Sequence, residues 1–299
     1  MSKQWIGMLA ALALAGCAQM QVDLPAVGES SSQRLPGKVI WHDLISAKPA
    51  ASQTFYEQLF GWEFEEISIP TGVFSHASYY VISHEGRVIG GMVDQDDLKA
   101  DSNLSQWVVV LASDNIEQSV ASIRSAGGTL LGDIIDLNAR GKMAVAKDKQ
   151  GALFALLQTP DGDPTDRASV TAGDFLWDEL WTTDVDSAAS FYRAFMPYTE
   201  ADHPEAGKQG YRVLAAHNKP RAGVLKMPVE KLDPTWVTYL RVADTQALDN
   251  ILSRVESLGG AILLPAQDRL TGGRAALIAG PSGAGIALQT WPVAEESSP

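Results

Sequence analysis

Two stretches decide the architecture: VIWHDLISAKPAASQTFY at 39–56 and FLWDELWTTDVDSAASFY at 175–192. They align without a gap. Trp41 falls on Trp177, Asp43 on Glu179, Leu44 on Leu180, and Phe55-Tyr56 on Phe191-Tyr192. A second pair lies between and after them. QWVVVLASD at 106–114 leads into a helical pattern that ends at Ala126-Gly127-Gly128. TWVTYLRVAD at 235–244 leads into one that ends at Leu258-Gly259-Gly260. Each closes on a strand opened by glycine, GALFALLQ at 151–158 and GAGIALQ at 283–289. Self-similarity of this kind marks one supersecondary unit used repeatedly.

Side-chain period assigns the parts of the unit. Residues 39–46 and 107–112 are apolar and β-rich, as strands are. From Pro49 to Phe60, Ala51, Phe55, Leu59 and Phe60 recur at helical spacing; Val120, Ile123 and Ala126 repeat it within 117–126. Gly127-Gly128 suits a left-handed helix C-cap and turn. After each helix, runs such as 79–83 and 87–93 are separated by turn residues such as His84-Glu85-Gly86. The predicted fold class is α+β: four βαβββ modules forming two incomplete eight-stranded barrels.

The ends carry a separate message. Lys3 is followed by an uncharged, mostly apolar run from Trp5 to Ala15, too short for a spanning helix, which needs about 20 apolar residues. A basic start, an apolar core and small residues describe a secretory signal. Leu14-Ala15-Gly16-Cys17 has the lipobox pattern, and Cys17 is the single cysteine of the chain. Residues 1–17 therefore read as a lipoprotein signal peptide with Cys17 as lipid acceptor; ordinary cleavage after Ala15 is the alternative. Several acyl chains on one cysteine anchor a protein firmly. No Asp follows Cys17. Resemblance to diderm lipoproteins then implies the outer membrane, periplasmic side. The polar residues 18–37 read as a flexible tether, and 293–299 as a tail. Domains are expected at 38–160 and 174–292, joined by 161–173. The formal charge of −13 disfavours nucleic acid as a partner.

With Phe-Tyr in the first helix and Leu59-Phe60-Gly61-Trp62 after it, the four-fold pattern resembles the vicinal oxygen chelate superfamily of glyoxalases, bleomycin-resistance proteins and extradiol dioxygenases. The subgroup it is similar to is the tandem one beginning Trp-x-Asp/Glu-Leu. The resemblance covers about 38–292 and implies two cups, one per pair of modules. In metal-using members each cup holds a divalent ion on His, Glu and Gln side chains, which polarises substrate oxygens. The positions that the resemblance assigns to those ligands fall here on Trp41 and Trp177, Trp107 and Trp236, Ala155 and Ala287, and near Gly90-Gly91 and Ala222-Gly223. None of these residues ligates a divalent metal. The expectation is no metal and no cofactor. His42 is adjacent to such a position, but alternation points it away from the cup if Trp41 points in; a one-residue error in register would reverse this.

The residues expected to face the cups are Trp41, Asp43, Trp107, Trp177, Glu179, Trp181 and Trp236. A cup lined by indoles around one carboxylate suits a small apolar or aromatic molecule carrying a cationic or hydroxyl group. The same residues could simply fill the cups. A lyase, isomerase or dioxygenase-type enzyme stays open on the resemblance, as does a structural or interaction protein of the envelope. The anchor reading is directly testable. Cys17→Ser releases the protein from membranes or leaves an unprocessed precursor in fractionation with acyl labelling; unchanged fractionation without label contradicts it.

Overall fold

A computed structural model describes residues 22–70, 76–98, 100–201, 210–229, 232–269 and 272–291. The signal segment, Cys17 and the tail lie outside the described residues. No helix among the described residues is long and apolar enough to cross a membrane.

A short strand β1 (Ser30–Gln33) precedes the repeats. The first module runs β2 (Val39–Ser46), α1 (Pro49–Phe60), β3 (Glu63–Pro70), β4 (His76–His84) and β5 (Arg87–Asp94). The second runs β6 (Gln106–Ala112), α2 (Ile116–Ser125), two short pieces β7 (Thr129–Leu130) and β8 (Ile135–Asp136), then β9 (Lys142–Lys147) and β10 (Leu153–Gln158). After β11 (Asp163–Pro164), the third has β12 (Phe175–Thr182), α3 (Val185–Arg193), β13 (Thr199–Glu200), β14 (Arg212–Ala216) and β15 (Lys219–Lys226). The fourth has β16 (Thr235–Val242), α4 (Thr245–Val255), β17 (Ala261–Asp268), β18 (Arg274–Ala279) and β19 (Gly285–Thr290).

Local chemistry sets the helix ends. Asn115, Asp184 and Asp244 each accept a backbone N–H of the first turn, from Gln118, Ser187 and Ala247. α1 starts on Pro49 instead and stops at Gly61, whose φ of 72° is the left-handed cap.

Among the described residues the strands form two large sheets. The first has the order β3-β4-β5-β2-β6-β10-β9-β7, with β8 also on β9. The second has β13-β14-β15-β12-β16-β19-β18-β17. Within a module the last strand lies parallel to the first, pairing Asp43 with Gly91 and Glu179 with Gly223. Between modules the leading strands run antiparallel, pairing Asp43 with Val108 and Glu179 with Val237. Neither sheet closes on itself, and the face of each sheet turned away from the helices is the one expected to form a cup.

The helices lie between the two sheets. One core joins the first module to the fourth, packing Leu44, Phe55, Tyr56 and Trp107 with Leu240, Leu248, Ile278 and Ile286. The other joins the second to the third, packing Val109, Ile116 and Phe154 with Leu180, Phe191, Tyr192 and Trp236. Each such side chain contributes about 1.5–3 kcal/mol on burial, so the two halves share cores rather than meeting at a polar surface.

Residues 22–37 correct the expectation of a flexible tether. Val22, Leu24, Val27 and Leu35 are buried, and β1 pairs antiparallel with β11. The apolar side chains interspersed along a polar segment are what the composition concealed; Val22, Leu24 and Val27 find an apolar surface in the first cup.

Polar contacts lock the junction. His42 and Asp178 occupy the same position in the two halves. They meet through His42 Nε2, 2.9 Å from Asp178 Oδ1, to which Thr238 Oγ1 also donates at 2.8 Å. His42 thus points away from Trp41, but toward the other half rather than toward solvent. Asp174 takes His84 Nδ1 at 2.7 Å, Arg87 Nη2 at 2.8 Å and Arg167 Nη1 at 2.5 Å. Burial alone raises the Asp174 carboxyl, but hydrogen bonds from His84, Arg167 and Arg87 outweigh it and hold it below its ordinary value. A depressed carboxyl contributes stability that is present above its unfolded pKa and lost as pH falls through the folded one. Asp174→Asn is expected to cost about 3 kcal/mol at neutral pH and to flatten the loss of stability below pH 4. Denaturant melts of both proteins across that range measure it.

Candidate functional site

In the first cup, Trp41 and Asp43 project from one face of β2. Trp41 Nε1 donates to Asp43 Oδ1 at 2.9 Å, and the Tyr79 hydroxyl from β4 donates to the same oxygen at 2.7 Å. Arg140, just before β9, donates from Nη1 to the Tyr79 oxygen at 2.6 Å. Its guanidinium lies 4.4 Å over the Trp41 ring, a cation–π contact in a buried site. Gly91 makes room for this arrangement. A Cβ there would stand 1.9 Å from the Tyr79 hydroxyl and 2.6 Å from Asp43 Oδ1. Burial, then the charge of Asp43, pushes the Tyr79 phenol far above its ordinary value, so it stays a neutral donor.

The second cup repeats the plan. Trp177, Glu179 and Trp181 project from β12. Glu179 Oε1 accepts from Tyr211 and from Arg269 Nη2, each at 2.9 Å. Oε2 accepts from the Tyr239 hydroxyl and from Trp181 Nε1. Trp177 Nε1 donates to Tyr211 at 3.2 Å. Gly223 takes the part of Gly91: its Cβ would stand 2.2 Å from the Tyr211 hydroxyl. Burial, then the charge of Glu179, raises Tyr211 and Tyr239 in the same way.

The cups differ in what covers them. Val22 and Leu24 are buried against the first beside Ile69, Tyr79, Val81 and Leu137, and Val27 in the cluster of Trp41 and Val108. Asn138 Nδ2 donates to the Val22 carbonyl at 3.2 Å and Arg140 Nε to that of Pro25 at 2.9 Å. Over the second cup no described segment packs in this way. Trp177, Leu225, Met227, Val229, Leu264 and Ala275 remain partly exposed there around Trp181, Val237 and Leu277.

Of the residues read as cup-facing, the structure brings together Trp41 with Asp43, and Trp177 with Glu179 and Trp181. Trp107 and Trp236 are corrections. Trp107 pairs with Leu44 and donates to the Tyr56 hydroxyl at 3.1 Å; Trp236 pairs with Leu180 and donates to Tyr192 at 3.0 Å. Directly opposed residues share a sheet face, so both indoles belong to the helix layer. Their neighbours Val108 and Val237 face the cups instead. Tyr79, Tyr211, Arg140 and Arg269 went unread. Their recurrence near the same places of the two halves was the available signal.

A divalent metal, which the fold implies, does not fit these residues. Each constellation offers one carboxylate and no imidazole, and that carboxylate already holds indole and phenol donors. A permanently charged guanidinium stands beside each group. Among the described residues no three His, Cys, Asp or Glu side chains could hold a metal ion together.

No family model matches the chain. It is 26% identical to the protein named glyoxylase CFP32 of Mycobacterium tuberculosis over 253 residues, covering 85% of this chain and 94% of that one. It is 28% identical to the anthracycline biosynthesis protein DauV of Streptomyces sp. strain C5 over 286 residues, covering 88% and 98%. Among solved structures, the Mn(II)-bound glyoxalase of Novosphingobium aromaticivorans superposes with a TM-score of 0.58 at 14% identity, covering 86% of this chain and 83% of that one. The 2,2',3-trihydroxybiphenyl 1,2-dioxygenase of Sphingomonas wittichii gives 0.57 at 13%, covering 87% and 90%. The chain has the tandem fold of the vicinal oxygen chelate superfamily, with glyoxalase-like relatives.

The glycines make the constellations testable. Gly91→Ala pushes a methyl group into Tyr79 and Asp43, an overpacking expected to cost about 1–3 kcal/mol. Thermal melts should show Gly61→Ala, where nothing lies within 4 Å of the added Cβ, carrying only its smaller backbone cost.

Proposed function

We propose that this protein is a metal-independent member of the glyoxalase-like group that binds a small apolar or aromatic molecule in its second cup. The observation that carries this reading is the asymmetry between the cups. Both have an internal guanidinium and at least one phenol beside a carboxylate. The first is stoppered by the chain's own Val22, Leu24 and Val27, while the second leaves Trp177, Leu225, Met227 and Leu264 partly exposed. Contiguous apolar surface left partly exposed in this way favours an apolar ligand.

Arg269 supplies the positive charge that a cationic ligand would otherwise bring to Glu179. The ligand is therefore uncharged where it meets the cup, with ring surface for Trp177 and a polar group for the phenols. Glu179 has donors on both oxygens, so it is poorly placed to act as a general base. An anthracycline is a polycyclic aromatic compound, so the name of one relative agrees in chemical class.

The envelope anchor belongs to the same proposal. Lipid on Cys17 leaves five peptide steps to Val22, a reach of about 18 Å when extended. The stopper of the first cup would then double as the attachment of the body to the membrane, and the mouth of that cup would face it.

N-phenyl-1-naphthylamine, an uncharged aromatic fluorophore, tests the site in the full chain. One saturable equivalent is expected. Leu264→Asp should weaken it at least about ten-fold, because one buried carboxylate offsets most of the apolar gain. Val22→Asp combined with Leu24→Asp should open the first cup and raise the stoichiometry toward two. Absence of saturable binding, or indifference to Leu264→Asp, counts against the proposal.

A further inference from the structure

A cavity opens where the two halves meet, away from the carboxylates of both cups. It is a cleft of about 880 Å³ between the beginnings of β2 and β12, walled by residues 26–29, 86–89, 164–167 and 219–221. Its size lies in the range of small-molecule sites.

Its charge runs against that of the molecule. The chain carries −13 overall, yet three cations converge on one carboxylate at one end of the cleft. Lys38 Nζ lies 3.2 Å from Asp166, Lys219 Nζ 3.0 Å, and Arg221 grips both oxygens at 2.6 and 3.1 Å. The Lys38 and Arg221 side chains are only 13% and 6% exposed. Asp163 acts on Lys38 from behind, but it is fully buried and bound by the Leu35 N–H and Thr159 hydroxyl. Across the cleft, Arg87 and Arg167 share a single oxygen of Asp174. Of the remaining acids on the lining, Asp178 is held by His42 and Thr238, and Glu29 sits exposed on the rim.

Cations withdrawn from water and short of counter-charge are costly, and an anion arriving from outside recovers part of that cost. The burial of Lys38 lowers its pKa despite Asp166 and Asp163, which is consistent with that shortage. Beside the charged end lie aromatic rings. Phe175, stacked 3.9 Å from His42, and the partly exposed Trp177 line the same cleft.

We propose that this cleft is a second, separate binding site, for a small aromatic acid. Its anionic group meets Lys219, Lys38 and Arg221, and its ring lies against Phe175. Arginine and lysine together accept a carboxylate, sulfonate or phosphate in several geometries. Placement between the two halves couples the ligand to both.

The probe is 8-anilino-1-naphthalenesulfonate, the anionic counterpart of the neutral dye used for the cup. One equivalent should bind the full chain, and its affinity should fall with added salt. Lys219 is 57% exposed, so its replacement leaves the cores intact. Lys219→Glu should weaken the anionic dye about ten-fold and Lys219→Gln about three-fold, while neither changes binding of the neutral dye. Leu264→Asp should do the reverse. Retained neutral-dye binding also certifies that the variants are folded. Unchanged affinity of the anionic dye in Lys219→Glu overturns the proposal, as does its loss in Leu264→Asp alone.

Discussion

Everything in this molecule depends on the two-residue alternation of its leading strands. β2 and β12 each serve two interiors at once. Asp43 and Trp41, like Glu179 and Trp181, are committed to a cup, while Leu44 and Leu180 are committed to the cores between the sheets. A slip of one residue would exchange the two sets. It would place carboxylates among Phe55 and Tyr56 and expose leucines to the cups. The junction pair inherits this constraint. His42 lies one residue from Trp41, so it must leave the cup, and the equivalent Asp178 meets it from the other half.

Inside the cups, one solution appears twice. A carboxylate on the leading strand is gripped by tyrosine and tryptophan donors, a glycine on the parallel neighbour clears the space, and an arginine supplies positive charge. In each cup the carboxylate takes its hydrogen bonds from donors of the chain itself. Each phenol held neutral by burial remains a donor, which suits a neighbouring carboxylate. The two copies diverge in what reaches them from outside: the segment 22–27 fills one and leaves the other with exposed apolar surface.

Part of this was legible beforehand. The repeat, its βαβββ order and the helix from Pro49 to Phe60 follow from local pattern and glycine punctuation. So does the opposition of Trp41 and His42, since it requires only alternation. Trp107 and Trp236 fall in the other layer although the resemblance puts them at the position equivalent to Trp41 in the following module. An antiparallel partner inverts the correspondence, and cross-strand register is not a local property. Arg140 and Arg269 escaped notice because each lies in a short irregular stretch, about 100 residues from the carboxylate end of its network. Their role depends on sheet curvature bringing distant turns over the cup. Residues 22–37 read as tether because polar composition dominates there, although Val22, Leu24 and Val27 provided a trace of the buried face.

The amino-acid order alone determined the number of modules, their strand and helix content, and which face of each leading strand is apolar, because these rest on contacts between near neighbours and on fixed side-chain periods. Only the tertiary structure decided which sheet face each tryptophan joins, which arginine answers which carboxylate, and which cup is stoppered. Those outcomes are set by register between strands and by the packing of segments far apart in the chain, where the energy lies in contacts that no local pattern encodes.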